Sequence, residues 1–164
     1  MATITRRLAE LGITLPRPFT GPPGVDFPIE MVVVDGERAY LAGHGPTDGA
    51  DLLVRGRVGE EVTVDQGHQA ARLAGLSMLA SLQDALGDLD RVRRWLRVAV
   101  YVNATPSLAG MEVTTVGNGV SELTREVWGD AGRHARVSPG VAALPLNMPV
   151  VVEATLVVDA PAQS

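Results

Sequence analysis

The sequence predicts an α+β fold in which a mixed β-sheet carries two helices packed on one face. Three observations predict it. Apolar stretches with the two-residue period of a strand stand before, between and after two stretches with the 3.6-residue period of a helix. The longer helical stretch is bounded by a capping motif and a glycine. The resulting order, β-β-β-α-β-α-β-β, is typical of a sheet covered on one side by helices.

An amphipathic helix is predicted over residues 3–11. Gly12 is placed to end it, and its apolar face consists of Ile4, Leu8 and Leu11. A segment rich in proline and glycine follows from Pro16 to Pro28 and predicts a loop that crosses the molecule. Because the helix has an apolar stripe, we expect it to dock on the body of the protein or on a neighbouring subunit.

The predicted domain organisation has three parts. Residues 1–28 form the N-terminal helix and the crossing segment, residues 29–158 form one domain, and residues 159–164 form a C-terminal tail. One domain of 164 residues buries roughly 70% of its unfolded surface, so the chain needs neither a metal nor a disulfide to fold.

The first strands are predicted to form a hairpin. Met31–Val34 and Ala39–Ala42 flank Asp35-Gly36, a dipeptide suited to a tight turn. A third strand is predicted over Leu52–Val58, after a turn at Thr47–Gly49.

The longer helix is predicted over residues 64–86. Thr63 and Gln66 fit the S/T-x-x-E/Q capping box, and Gly87 provides the stop. One face of this helix is lined by leucines, namely Leu76, Leu79, Leu82 and Leu86.

A long strand is predicted over Asp90–Asn103. Strict alternation places four of its residues on one face: Arg91, Arg93, Trp95 and Arg97. Basic residues interleaved with an aromatic are able to bind single-stranded nucleic acid, but a solvated strand face on an acidic protein is far more common. We therefore interpret this run as a solvated face.

A second helix is predicted to end near Trp128, and its start is left open by Gly117-Asn118-Gly119. The glycines either let another backbone or a ligand approach closely, or they form a turn that starts the helix late. The last two strands are predicted within Arg136–Ala154, joined by a tight turn.

Composition excludes several kinds of chemistry. The chain has no cysteine and no lysine, which removes thiol nucleophiles, thiolate metal sites, Schiff-base catalysis and the P-loop lysine. Its three histidines are too scattered for a motif-type zinc site. A net charge of −5 argues against a nucleic-acid partner, and no stretch is long and apolar enough to span a membrane. We expect a cytoplasmic protein without metal or cofactor.

The C-terminal run resembles the signature of the Rid family, the reactive intermediate deaminases that are also called YjgF-like proteins. In that family an Arg heads the penultimate strand, a Leu-Pro follows eight and nine residues later, and the last strand ends in Glu-Ala. Here Arg136 is followed by Leu144-Pro145 at that spacing, and Glu153-Ala154 closes the run. Residues 29–158 also match the order of elements in the family.

The resemblance implies a chorismate-mutase-like fold, a homotrimer and ligand clefts between subunits. It also implies that Arg136 holds the carboxylate of an imino or enamino acid through its planar fork of donors, and that backbone groups at Ser138 complete the cradle. Asn118 stands where the family has an Asn in the second helix. Gly43 and His44 stand where the family has the Gly and Gln of its Ser-Gly-Gln.

One departure from the family concerns the reaction itself. Active Rid deaminases carry a water-positioning Glu two residues before the terminal Glu-Ala, and this chain has Val151 there. The resemblance implies hydrolytic deamination of a small imino or enamino carboxylate to the keto acid and ammonia. The alternatives are a non-hydrolytic step such as tautomerisation or cyclisation, or carboxylate binding without catalysis.

Three candidate catalytic residues follow, namely Arg136, His44 and Glu153. His44 is either a proton carrier or a hydrogen-bonded strand-end residue. Glu153 shares a strand face with Val151 and either forms part of the site wall or makes a structural ion pair that fixes the sheet or the trimer.

Overall fold

The protein is built on a six-stranded mixed sheet with its helices on one side, as the sequence predicts. The computed structural model describes residues 3–108 and 110–159, so all but the first residue of the predicted tail lies outside the described residues. The helices are α1 (Thr3–Glu10), α2 (Val64–Leu86) and α3 (Met111–Trp128). The strands are β1 (Val32–Asp35), β2 (Arg38–His44), β3 (Thr47–Asp48), β4 (Asp51–Leu52), β5 (Val92–Asn103), β6 (Ala135–Val137), β7 (Gly140–Val141) and β8 (Val150–Val158).

The strand order in the main sheet is β1-β2-β8-β5-β6, and β7 continues along β5 beyond β6. β6 and β7 run parallel to β5, and the other pairs are antiparallel. β3 and β4 form a separate small hairpin. The buried residues of β8 alternate with partly exposed ones, so one face of the sheet packs on α2 and α3 and the other face is open.

The predicted third strand over Leu52–Val58 is wrong. Only Leu52 belongs to a strand, and the chain beyond it forms a loop. Gly56 adopts a positive φ of 119°, and its N–H donates to the carbonyl of Asn147 at 2.9 Å. The N–H of Val58 donates to the carbonyl of Asn103 at 2.8 Å. These bonds tie the segment to loops and to the end of β5, so its backbone groups are satisfied without a ladder.

The tight turn predicted between the last two strands is also wrong. β6 and β8 lie on opposite sides of β5, so the connection between them must cross the end of that strand. The connection carries β7 and a 3₁₀ turn at Pro145–Asn147. Pro139 separates β6 from β7, in accordance with the preference of proline for edge strands.

Helix α2 begins and ends as predicted. The Thr63 hydroxyl accepts from the N–H of Gln66, and the Gln66 side chain accepts from the N–H of Thr63. Gly87 closes the helix in the left-handed conformation, with φ 75°. The leucine face packs in the core, where Leu79, Leu82 and Leu86 are buried.

The glycines near the start of α3 do not interrupt it, because the helix runs unbroken from Met111. A Cβ at Gly119 would overlap the carbonyl oxygen of His68 on α2 and lie 3.0 Å from the N–H nitrogen of Arg72. Of the two interpretations, close approach of another backbone is therefore the correct one. The turn that starts the helix late is not formed.

Strict alternation along β5 is broken at two bulges. The pairing with β8 shifts between Val92 and Arg94 and again between Trp95 and Arg97. Trp95 consequently points into the core, where it meets Trp128 edge-on with ring centroids 5.4 Å apart, and Arg97 points to the open face. The predicted single face of basic residues and tryptophan does not form.

Helix α1 docks on the body of the same chain. Ile4 and Leu8 are buried in the core, and both oxygens of the Asp90 carboxylate accept from the first helical N–H groups at 2.6 Å. Arg7 Nε donates to the carbonyl of Glu126 at 2.9 Å. Among the described residues, no helix is long and apolar enough to cross a membrane.

Candidate functional site

Arg136 lies on the edge strand β6 and reaches over α3. Its guanidinium donates to Ser121 Oγ at 2.9 Å, to Asn118 Oδ1 at 3.0 Å and to the carbonyl of Thr114 at 3.2 Å. The three acceptors stand at i, i+4 and i+7, so α3 presents them as one stripe. The structure thus brings together Arg136 and Asn118, two of the predicted site residues.

Every acceptor that holds Arg136 is neutral. Within the described ranges, no carboxylate forms an ion pair with it, although the side chain is half-buried. Burial lowers the pKa of Arg136 from its ordinary value, and the charge of Glu122 opposes that shift. The guanidinium keeps its charge in proteins, so it remains a cation without an anionic partner in this part of the chain.

His134 fixes the orientation of the cluster that Arg136 forms with Ser121 and Asn118. His134 Nδ1 donates to the carbonyl of Gly132 at 2.9 Å, so Nε2 accepts from the hydroxyl of Ser121 at 2.9 Å. Burial lowers the pKa of His134. The hydrogen bond to the backbone carbonyl of Gly132 opposes this shift, and the nearby charge of Arg136 adds to it. The imidazole therefore stays neutral and leaves the Ser121 oxygen free to accept from Arg136.

Ser138 lies beside Arg136, and the role predicted for its backbone groups in holding a ligand stays a prediction. Its Oγ is buried without a hydrogen-bond partner among the described residues. A Cβ at Gly117 would overlap this hydroxyl and stand 3.2 Å from Arg136 Cζ. Gly117 therefore leaves the space that Arg136 and Ser138 occupy against α3. An unpartnered hydroxyl next to a cation is available to a bound anion.

Gly43 lies elsewhere, in the lining of an apolar cavity of about 420 Å³. Val151 lines the same cavity and approaches Gly43 so closely that a Cβ there would stand 2.7 Å from Val151 Cγ1. The remaining lining comes from three segments of the chain, one of which includes β3 and β4, and contributes Phe19, Pro22, Val25, Phe27, Ile29, Gly45, Thr47, Ala50, Leu52, Leu144, Pro145, Leu146 and Met148. No titratable side chain lines this cavity among the residues described.

His44 does not reach the cavity, although it follows Gly43 in the chain. The pairing of β2 with β8 shifts between Leu41 and His44, and this bulge turns the imidazole into the core. Nδ1 donates to the carbonyl of Ala42 at 2.7 Å, and Nε2 accepts from the hydroxyl of Ser81 at 2.9 Å. Burial lowers the pKa of His44 to about 4. The geometry is that of the hydrogen-bonded strand-end residue.

Glu153 lies on the open face of the sheet together with Val151, as the alternation of β8 predicts. Its Oε1 accepts from the Tyr101 hydroxyl at 3.2 Å and lies 3.7 Å from Arg97 NH1. The side chain is 40% exposed rather than buried. The ion pair joins β5 to β8, which corresponds to the structural alternative of the two interpretations.

The predicted site residues thus fall into two groups within one chain. Arg136, Ser138 and Asn118 form the first group, on the helix side of the sheet edge. Gly43 and Val151 belong to the second group, on the open side. β5 lies between β8 and β6, so Val151 and Arg136 stand on strands about 10 Å apart and face opposite sides of the sheet.

Two contributors to these groups are missing from the sequence predictions. Ser121 could have been found, because it lies one helical turn beyond Asn118 on the same face of a predicted helix. The aromatic wall of the cavity, Phe19 and Phe27, lies in a segment without periodicity, so its contacts leave no signal in the sequence. The described residues contain no group of three acidic, histidine or cysteine side chains able to hold a metal.

Comparisons with known proteins agree with this architecture. The model of a protein family described as "YjgF/chorismate_mutase-like, putative endoribonuclease" matches residues 7–156. The chain is 37% identical over 152 residues to Protein TCP17 of Trypanosoma cruzi, which covers 92% of this chain and 91% of the relative.

Two solved structures are similar along nearly the whole chain. A protein of unknown function from Agrobacterium tumefaciens is 34% identical with a TM-score of 0.83, covering 96% of this chain and 92% of that one. A protein from Shewanella oneidensis described as a "putative endoribonuclease" is 29% identical with a TM-score of 0.86, covering 95% and 99%.

Proposed function

Because the chain belongs to the YjgF/chorismate-mutase-like family, also called the Rid family, we propose that it acts on small imino or enamino carboxylates. Arg136 holds the substrate carboxylate in this proposal, and the reaction is hydrolytic deamination. Water adds to the imine carbon, the C–N bond breaks, and the products are the 2-keto acid and ammonia.

The setting of Arg136 is the observation that carries the proposal. Its guanidinium is half-buried, held by three neutral acceptors and next to the unpartnered Ser138 hydroxyl. Three of its five N–H groups are engaged in the described part of the chain, which leaves donors for a ligand. A charged group that is partly desolvated, with no carboxylate of the described residues at ion-pair distance, favours binding of an anion.

The water-adding step receives no general base from the cavity. Val151 stands where the family carries its water-positioning Glu, and His44 points into the core. Hydrolysis in this proposal therefore depends on the intrinsic reactivity of the imine and on the position in which Arg136 holds it. We expect a rate below that of an enzyme with a carboxylate at this position.

A second candidate function follows from the lack of a general base in the cavity among the described residues. The cavity holds Val151 and no titratable side chain among the residues described, which suits a non-hydrolytic step such as tautomerisation or cyclisation, or binding alone. Ammonia release distinguishes the two candidates, because only hydrolysis produces it.

A trimer completes the proposed site. Arg136 and the cavity face opposite sides of one chain, so a cleft that contains both needs a second copy. We place Arg136, Asn118 and Ser138 of one subunit opposite Gly43 of the next. RNA is not the substrate in this proposal, because the net charge is −5 and Trp95 is buried in the core instead of lying among the exposed arginines of β5.

Calorimetry with a 2-keto acid, the stable product, tests the role of Arg136. Arg136→Ala should abolish binding, and Arg136→Lys should recover little of it, because an ammonium lacks the planar fork. Arg133→Ala is the matched control, since Arg133 is exposed and pairs with Asp130 at 3.0 Å. Unchanged affinity in Arg136→Ala would reject the proposed carboxylate site.

A further inference from the structure

We propose that the apolar cavity selects substrates by their side chain, and that the substrate is a 2-imino acid with a bulky apolar or aromatic group. This inference rests on the proposed function, because Arg136 of a neighbouring subunit supplies the carboxylate grip. The cavity supplies the other half of recognition, a dry surface for hydrocarbon.

The lining of the cavity is almost entirely hydrocarbon. Thr47 is its one polar side chain among the described residues, and its hydroxyl lies 2.9 Å from Ser77 Oγ. A volume of about 420 Å³ lies within the range of pockets that hold drug-sized ligands. The methyl or ethyl group of the smallest imino acids leaves most of such a space unfilled.

The walls are built to keep this space open. Phe19 and Phe27 meet edge-on, with ring centroids 5.6 Å apart, on the wall that the crossing segment contributes. Gly45 lies directly against Met148 Sδ, so any larger residue at 45 would displace that side chain. The cavity therefore has a fixed wall on the N-terminal side and a close-packed floor.

The opposite wall is held in a strained backbone conformation. Leu146 and Asn147 both have φ near 55°, where residues other than glycine are uncommon. Asn103 is buried and donates to Asn147 Oδ1 at 3.1 Å, and Gly56 N–H donates to the Asn147 carbonyl at 2.9 Å. These bonds hold Leu146 at the cavity, and backbone strain of this kind is a feature of ligand clamps.

The rim exposes apolar surface that a ligand would cover. Four of its side chains are 43–55% exposed, namely Val25, Phe27, Ile29 and Leu146. Apolar surface gathered around one opening marks a binding site, whereas single exposed apolar residues are ordinary. Each methylene that a ligand buries there should tighten binding about fourfold.

A series of 2-keto acids tests this inference by calorimetry. The ligands are 2-oxopropanoate, 2-oxobutanoate, 4-methyl-2-oxopentanoate and phenylpyruvate, which share the head group and differ in the side chain. Affinity should rise along the series, by about fourfold per methylene. Equal affinity for all four ligands would overturn the inference and leave the role of Arg136 standing.

Two variants locate the selectivity. Ala50 lines the cavity and is partly exposed, so Ala50→Phe should fill the space and remove the preference for phenylpyruvate over 2-oxopropanoate. Ala9→Phe, at an exposed position on α1, should keep the preference. A preference that survives Ala50→Phe would overturn the inference. Loss of all four ligands in Arg136→Ala tests the carboxylate grip separately, so the two failures are distinguishable.

Discussion

At the scale of the residue, Val151 is the position on which the two proposed functions differ. It lies at the floor of the cavity, on the open face of β8 and beside Gly43. A valine is unable to accept a proton or to orient a water molecule. A carboxylate introduced there would face the same space as the proposed substrate, so a single substitution tests whether water handling is what the site lacks.

We predict that Val151→Glu raises the rate of imine hydrolysis. General acid–base assistance contributes about 10²–10⁴-fold in a well-formed site, and a grafted side chain should reach about 10². The assay follows ammonia release from an imino acid generated in situ by an amino-acid oxidase. Val151→Gln is the matched control, because glutamine has the size of glutamate and lacks its carboxylate. Equal rates in the parent and in Val151→Glu would contradict this account of the missing group.

A second prediction at this scale concerns pH. Burial lowers the pKa of His44 from 6.5 to about 4, so between these values the unfolded chain binds a proton that the folded chain does not. The contribution of His44 to the free energy of unfolding should then be fully present above pH 6.5. About 3 kcal/mol of it should be lost as the pH falls to about 4. His44→Gln should remove that part of the pH dependence in denaturant titrations, and His68→Gln should not. Parallel pH profiles for His44→Gln and the parent would refute the buried neutral imidazole.

The orientation of His44 is a feature of this scale that the sequence does not predict. Alternation counted from Leu41 would place the imidazole on the open face, next to the cavity, and one bulge reverses it. Arg136 was proposed as a charge at a strand end, whereas Asn118 and Ser138 were proposed from the resemblance to the Rid family, and the structure brings these three residues together. Whether a β-bulge forms depends on the partner strand, which the local sequence does not contain.

At the scale of the element, the fold was predictable where a signal is local. The capping box and the left-handed glycine define α2 at both ends. The first hairpin forms as predicted, but its two turn residues are Gly36 and Glu37, one position beyond the predicted Asp35-Gly36, because Asp35 still pairs with Arg38. The failures are long-range. The Leu52–Val58 segment has the composition of a strand, and the partners that hold it as a loop lie about 45 to 90 residues further along the chain.

The packing of α2 on α3 depends on Gly119, and this gives a prediction. Alanine is more favourable than glycine by about 1 kcal/mol in a helix interior. At Gly119, however, the added methyl would overlap the backbone of α2, and overpacking costs about 1–3 kcal/mol or more. Because backbone has no rotamer with which to yield, we expect the upper end of this cost, which leaves a net loss of about 2 kcal/mol. At about 2–4 °C per kcal/mol for a chain of this length, Gly119→Ala should lower the melting temperature by roughly 4–8 °C. Thr115→Ala, on the exposed side of the same helix, should change it little. A stabilised Gly119→Ala would show that the helices separate freely.

At the scale of the whole molecule, the open face of the sheet is the face that the helices of the chain do not cover. Val33, Tyr40 and Val137 are 46–48% exposed there. Arg97 and Glu153 make their ion pair on the same face. Helices cover the other face and leave this one bare. Because the bare face also carries apolar residues, it favours contact with further copies of the chain. We expect light scattering to give three times the chain mass of 17.2 kDa.

Mixed trimers test whether the proposed site lies between subunits. Arg136→Ala lacks the carboxylate grip and Ala50→Phe has a filled cavity, so neither homotrimer should bind phenylpyruvate well. If each cleft takes Arg136 from one subunit and the cavity from the next, unfolding and refolding an equal mixture should restore about one quarter of the clefts. The restored clefts pair Arg136 of the Ala50→Phe chain with the open cavity of the Arg136→Ala chain. Calorimetry should then report parent-like affinity at about one quarter of the parent stoichiometry. A mixture that binds no better than either homotrimer would place both groups of residues in separate sites of one chain, because no exchange of subunits repairs a site built within a single subunit.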